Sequence, residues 1–208
     1  MITSDYSEAS KFGDTWLAPR QGTDAALAMA FGHVILKEFY VNQQSAYFHD
    51  YVRRYTDMPM LVMLDKEGDH LTQGRFLRAA DLVDNLGEDN NPDWKTIAID
   101  SNGDRLVSPN GAIGYRWGEK GKWNLEQKDK QGDVNLHLSL KDNADEVVDV
   151  AFPYFGGKPH EYEYFQHTDH DEVQMRRIPA KRVELANGET ALVATVFDLL
   201  LANYGVDN

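Results

Sequence analysis

The sequence predicts an α/β fold in which a helical first part carries a β-rich insertion. Three observations predict it. An apolar stripe at helical spacing runs from Leu27 to Phe39, a short unbroken apolar run follows at Met58 to Leu64, and two turns of the Asn-Gly type sit between strand-like segments further on.

The elements follow in order. Met1 to about Asp14 reads as a strand end and a loop. Pro19 and Gly22 mark a turn, and Thr23 and Asp24 are good capping residues ahead of the first helix. Leu27, Phe31, Val34, Ile35 and Phe39 then fall on one helical face. A second helix is expected over Gln43 to Tyr55, with Tyr47, Tyr51 and Tyr55 four residues apart. Met58-Pro-Met-Leu-Val-Met-Leu64 is bounded by charged and glycine residues and reads as a buried strand.

From about Leu71 the texture changes. Thr96 to Asp100 and Arg105 to Val107 flank Ser101-Asn-Gly103, and Arg182 to Leu185 and Thr190 to Val193 flank Asn187-Gly188; both read as hairpins. Val134 to Leu140 alternates apolar and polar, as a half-exposed strand does. Gly87 to Pro92 and Gly156 to Pro159 read as loops. Val196 to Gly205 reads as a helix that stops at glycine. The expected organisation is essentially one domain over 1-208. Approximately 1-90 is the α/β part, and approximately 91-208 is the β-rich insertion that returns to the α/β layer by the C-terminal helix.

Composition narrows the chemistry. With 208 residues, 42% apolar and 11% aromatic, the chain is an ordinary globular one. It has no apolar run long enough to span a bilayer, its first residues lack the pattern of an export signal, and a soluble piece is expected. The absence of cysteine removes disulfides, thiolate metal sites and cysteine-held clusters within it. A net charge of −13 argues against a nucleic-acid surface, which needs clustered cations.

Several motifs fail on spacing. His160-Glu161 opens like a zincin helix, but position 164 is tyrosine. Gly114 to Lys122 lacks the spacing and hydroxyl of a phosphate loop, and neither GxGxxG nor GxSxG occurs. His160 to Glu172 has ligand types for a cation in His167, Asp169, His170 and Asp171, and equally the composition of a solvated loop. Gly111 to Trp123 mixes glycine, aromatic and cationic residues, suiting either a ligand contact or a hairpin with packed tryptophans.

The start of the first helix is the best candidate site. Free amide donors and a partial positive charge there attract phosphate. Arg20 adds a planar two-pronged donor, Gly22 allows close approach, and the Asp24 carboxylate is suited to the adjacent N–H donors of a guanine edge. An ordinary capped helix explains the same residues.

The run Ala18-Pro-Arg-Gln-Gly-Thr-Asp-Ala-Ala-Leu-Ala-Met-Ala30 resembles the PGTDAALALA signature of the molybdopterin oxidoreductases, the dimethyl-sulfoxide-reductase superfamily. Ile2-Thr-Ser-Asp-Tyr-Ser7 resembles its strand end, and Asp14-Thr-Trp-Leu17 its spacer. Gly32 to Phe39, Tyr51 to Val62, Trp117 to Glu126, Phe152 to Gly157 and Leu200 to Gly205 resemble, within it, the catalytic alpha subunits of bacterial membrane-bound respiratory nitrate reductases.

The resemblance implies an internal piece of a much longer subunit, inactive alone, with a Rossmann-like three-layer part. The whole enzyme is expected to reduce nitrate to nitrite at molybdenum-bis(molybdopterin guanine dinucleotide), with electrons from quinol. It also implies a 4Fe-4S cluster whose ligands lie outside this segment. Implied partners are the rest of the alpha subunit, an iron-sulfur beta subunit and a haem-bearing membrane gamma subunit, at the cytoplasmic face of the inner membrane. Gly22, Thr23 and Asp24, with Arg20 beside them, match the cofactor-contacting motif. Thr3, Ser4 and Asp5 stand where an acid followed by Pro-Arg is usual and are candidate ribose or guanine contacts. The resemblance implies no catalytic residue and no metal ligand here. A stand-alone interaction or cation-binding module around His160 to Glu172 is the other reading.

Overall fold

The computed structural model describes residues 1–6, 8–111, 126–153 and 173–206. Ile2 and Leu17 lie side by side in parallel, with Thr3 N donating to Leu17 O at 3.1 Å and Leu17 N to Met1 O at 2.9 Å. The indole N–H of Trp16 donates to Thr3 O, and Tyr6 meets the Trp16 ring edge-on, so side chains pin this short pairing.

Helix α1 spans Asp24–Ile35 and runs on into a wider π-type segment, Leu36–Asn42, closed by Gln43 N donating to Glu38 O. Helix α2 spans Ala46–Tyr55. It begins later than the tyrosine spacing alone predicts. Gln44 takes a left-handed φ of 48°, and the Ser45 hydroxyl caps the helix by accepting from Phe48 N.

Among the described residues seven strands follow: β1 Leu61–Glu67, β2 His70–Phe76, β3 Ala98–Asp100, β4 Arg105–Val107, β5 Glu146–Pro153, β6 Val173–Glu184 and β7 Thr190–Thr195. Helix α3, Val196–Asn203, ends at Gly205 with φ 66°, as the glycine predicts. Both expected hairpins are present, β3 with β4 and β6 with β7. The expected strand at Met58 to Leu64 is β1, which starts at Leu61 because Met58 and Met60 instead accept from the start of α3.

The content is α/β, and the principal sheet is mixed. β1, β2, β5, β6 and β7 close into a barrel, and β1 reaches β7 through four register pairs from Leu61↔Thr195 to Leu64↔Leu192. The β2–β5 contact is parallel and passes through Leu71↔Val150, helped by Gln73 Nε2 donating to Ala151 O at 3.0 Å. Gly74 suits the crowding on β2: a Cβ there would lie 2.9 Å from the backbone Met63 O, beside the irregularity between Val62 and Leu64.

Alternate residues of β1 serve opposite faces. Leu61 packs with Leu77, Ile97, Ile99 and Val193, while Val62 and Leu64 pack with Val150, Ile178, Ala194 and Leu199. Helix α3 sits between layers, since Leu199 joins the barrel and Phe197 and Leu201 join Leu36, Tyr40 and Val52 of the helices. The Tyr40 and Phe197 rings meet edge-on at 4.6 Å. Thr195 caps α3 reciprocally with Asp198: the Thr195 hydroxyl accepts from Asp198 N and donates to its carboxylate.

Val134, Leu136, Leu138 and Leu140 are buried and their neighbours are not, as the alternation predicts. The segment forms only isolated bridges, because Leu136, Leu138 and Leu140 enter three different clusters and the backbone must bend between them. The stripe on α1 departs further. No residue of α1 is buried, and Phe31, Val34, Ile35 and Phe39 are 43 to 56% exposed. Burial begins at Leu36 and Tyr40, where the helix widens. Among the described residues no helix is long and apolar enough to cross a membrane.

Candidate functional site at the start of the first helix

Because Ile2 and Leu17 run parallel, the residues that follow each of them leave at the same end of the pair. Thr3, Ser4 and Asp5 follow one, and Ala18, Pro19 and Arg20 follow the other. Both groups of residues singled out in the sequence thus leave this isolated bridge at the same end.

A tight turn links Arg20 to α1. Thr23 N donates to Arg20 O at 3.1 Å, and Gly22 supplies the positive φ of 80° that the turn needs. Nothing lies within 4 Å of where a Gly22 side chain would begin, so the backbone faces open space.

Thr23 does not cap the helix as its residue type predicts. Its hydroxyl donates to Arg20 O at 2.7 Å, and its side chain accepts nothing from the first turn. The physical reason is local: the turn carbonyl lies within reach of the hydroxyl, and a backbone at φ −107°, ψ 14° departs from the extended conformation of a usual cap. The amides of the first turn therefore have no acceptor from the residue placed to serve them.

Arg20 and Asp24 are exposed, and their side chains make no hydrogen bond or ion pair among the described residues. Ser4 and Asp5 are also exposed, and the Thr3 hydroxyl donates to Asp5 O at 3.2 Å. The two segments that leave the bridge offer one guanidinium, two carboxylates, hydroxyls and the first-turn amides of α1. It can receive an anion at the amides and a hydrogen-bond donor edge at a carboxylate.

The other sequence candidates give less. His160 to Glu172 lies outside the described residues, as do Ala112 to Leu125 of the glycine- and tryptophan-rich stretch. Among the described residues no group of three or more histidine, aspartate or glutamate side chains is placed to hold a metal ion.

Structural electrostatics lie elsewhere. Arg75 grips Asp81 with two bonds of 2.7 and 2.6 Å, which holds the Asp81 carboxyl below its usual range against the opposing effect of burial. Burial pushes the Asp129 carboxyl up, but the Arg105 guanidinium and the amides of Gln131 and Gly132 outweigh it and hold it low. Glu88 and Lys95 form a buried ion pair that Lys130 joins.

No protein-family model matches the chain. Over 99% of its length it is 57% identical to the respiratory nitrate reductase 1 alpha chain of Escherichia coli (strain K12) and 56% identical to the respiratory nitrate reductase 2 alpha chain of the same strain. It is 44% identical to the nitrate reductase alpha chain of Bacillus subtilis (strain 168), again over 99% of its length. In each case the chain spans 16% of the relative. Identity at this level over the whole chain settles the lineage: the chain belongs to the respiratory nitrate reductase alpha-chain family, of which it represents one segment.

Proposed function

We propose that this chain is the segment of a nitrate-reducing catalytic subunit that grips the nucleotide end of a molybdopterin guanine dinucleotide. The single observation that carries the reading is the uncapped start of α1. Thr23 turns its hydroxyl away, Gly22 leaves the backbone open, and Arg20 and Asp24 stand beside it without partners among the described residues. That donor set fits a phosphate-bearing purine nucleotide.

In this reading the first-turn amides and Arg20 hold phosphate, and the Asp24 carboxylate accepts from the guanine edge. Thr3, Ser4 and Asp5, which leave the bridge at the same end, are placed for the ribose or the base. When bound, the cofactor supplies two-electron redox chemistry at molybdenum, converting nitrate to nitrite. This chain's residues bind and orient its tail; they are not catalytic, and the segment is inactive alone.

The exposed stripe on α1 supports a segment built to be covered. Phe31, Val34, Ile35 and Phe39 form an apolar face of a kind usually buried, and 84% or so of the relatives' length lies outside the match. The rest of the alpha subunit is its occupant. Iron-sulfur and haem-bearing membrane subunits, a 4Fe-4S cluster held by residues outside this segment, and a place at the cytoplasmic face of the membrane complete the proposed assembly.

The test uses the intact subunit. Asp24→Asn and Arg20→Gln are compared with the parent for guanine nucleotide released per polypeptide after acid hydrolysis. Lower nucleotide content in both variants, with the iron content unchanged, is expected. Full nucleotide content in both sinks the reading.

A further inference from the structure

A cleft of about 500 Å³ lies between β6 and the C-terminal end of α3, in a part of the chain that the nucleotide reading does not use. It is the right size for a small molecule. Its walls are apolar in Met175, Pro179, Leu201 and Val206, and three cations line it: Lys141, Arg176 and Arg177.

Charge makes this cluster unusual for the chain. Acids outnumber Lys and Arg by 34 to 21, and several basic side chains are held by carboxylates, as Arg75, Lys95, Arg105, Lys181 and Arg182 are. Lys141, Arg176 and Arg177 make no ion pair among the described residues. Asp149 is the register partner of Arg177 across β5 and β6, yet it forms no salt bridge with it among the described residues.

The carboxylate that does line the cleft is already committed. Asp198 is 3% exposed and accepts from Ser139 Oγ at 2.6 Å, Leu140 N at 2.8 Å and Thr195 Oγ1 at 2.8 Å. Arg176 is held over Gly205, its Nη2 lying 3.5 Å from where a side chain would begin.

We propose that this cleft binds a small multivalent anion, phosphate- or carboxylate-bearing, through Arg176 and Lys141, with Arg177, which leaves the other face of β6, at its rim. Planar guanidinium forks pair with both oxyanion types, and clustered cations with apolar walls raise the local concentration of such a ligand. The site is separate from the helix mouth: about 12 Å of α1 lies between Asp24 and Gly32, where that helix meets Tyr204 at the end of α3.

The test is arginine footprinting of the intact subunit with phenylglyoxal, read by peptide mass spectrometry at Arg176 and Arg177. Pyrophosphate, citrate, or chloride at matched ionic strength is added. Modification is expected to slow about fivefold or more with pyrophosphate or citrate near ten times their dissociation constant, and not with chloride. Whichever anion protects at lower concentration identifies the chemistry. Lys141→Gln is expected to weaken the protection of both arginines. Equal rates with and without the multivalent anions, equal protection by chloride, or arginines that never react in the intact subunit overturn the proposal; the parent protein alone decides it, whether or not the variant folds.

Discussion

The ring of Tyr204 fills the space in which residue 32 would otherwise carry a side chain. A Cβ on Gly32 would lie 2.1 Å from Tyr204 Cε1 and 2.8 Å from Cζ, and the neighbouring His33 Nδ1 pairs with Tyr204 O at 2.8 Å. These two contacts dock an otherwise exposed helix onto the end of α3, and they fix where the mouth of α1 stands relative to the barrel.

Gly32→Ala is therefore expected to lower stability by about 1–3 kcal/mol, the usual cost of overpacking. Tyr204→Ala in the same protein should recover much of that loss, because the ring is the obstacle. A double-mutant cycle on thermal unfolding of the intact subunit checks it. Additive losses would show that the ring swings aside freely.

Asp198→Ala should cost about 3 kcal/mol. The substitution leaves Leu140 N and the Ser139 and Thr195 hydroxyls without the acceptor they share in a buried place, and it removes half of the α3 capping pair. Asp198→Asn, which keeps an oxygen, should lose less. Denaturant midpoints of the two variants against the parent decide it, and equal small losses would count against the network.

His49 gives the fold a pH dependence. Burial, and then the nearby Arg53 charge, hold its pKa below the ordinary imidazole value, and the buried His49 Nε2 and Arg53 Nε atoms have no hydrogen-bond partner among the described residues. The folded state thus takes up fewer protons than the unfolded one, so its stability declines as pH falls below about 6.5, until the lower folded pKa is passed. His49→Gln should flatten that decline between pH 7 and the folded value. Melting temperatures across the interval provide the measurement, and an unchanged slope would remove His49 from the cause.

The hairpins and helices were readable because their signals are local. Asn-Gly turns and spacings of four act within a few residues, and β3–β4, β6–β7, α1 and α2 all appear. Barrel closure was not readable. It depends on Leu61 finding Thr195 near the far end of the chain, a pairing that no local pattern announces. At the site, the grouping of Arg20, Gly22, Thr23 and Asp24 was legible from sequence order. Its approach to Thr3, Ser4 and Asp5 hangs on one parallel bridge, and the turning-back of the Thr23 hydroxyl on a choice between two neighbouring partners. Lys141, Arg176 and Arg177 carry no motif and meet only in three dimensions.

A ring of strands that begins and ends on itself has consequences for how this part of the molecule lives beside others. Each of β1, β2, β5, β6 and β7 has a neighbour on both sides, but the cover is uneven: β2 meets β5 at one register pair, and β6 over Val173–Ala180 is in register with β5 alone. A foreign strand would find its opening along that flank of β6, and not at Leu61–Leu64 of β1, which is paired on both sides. Elsewhere on the ring, contact with the surroundings is left to side chains and loops, which can be altered one at a time without unzipping it.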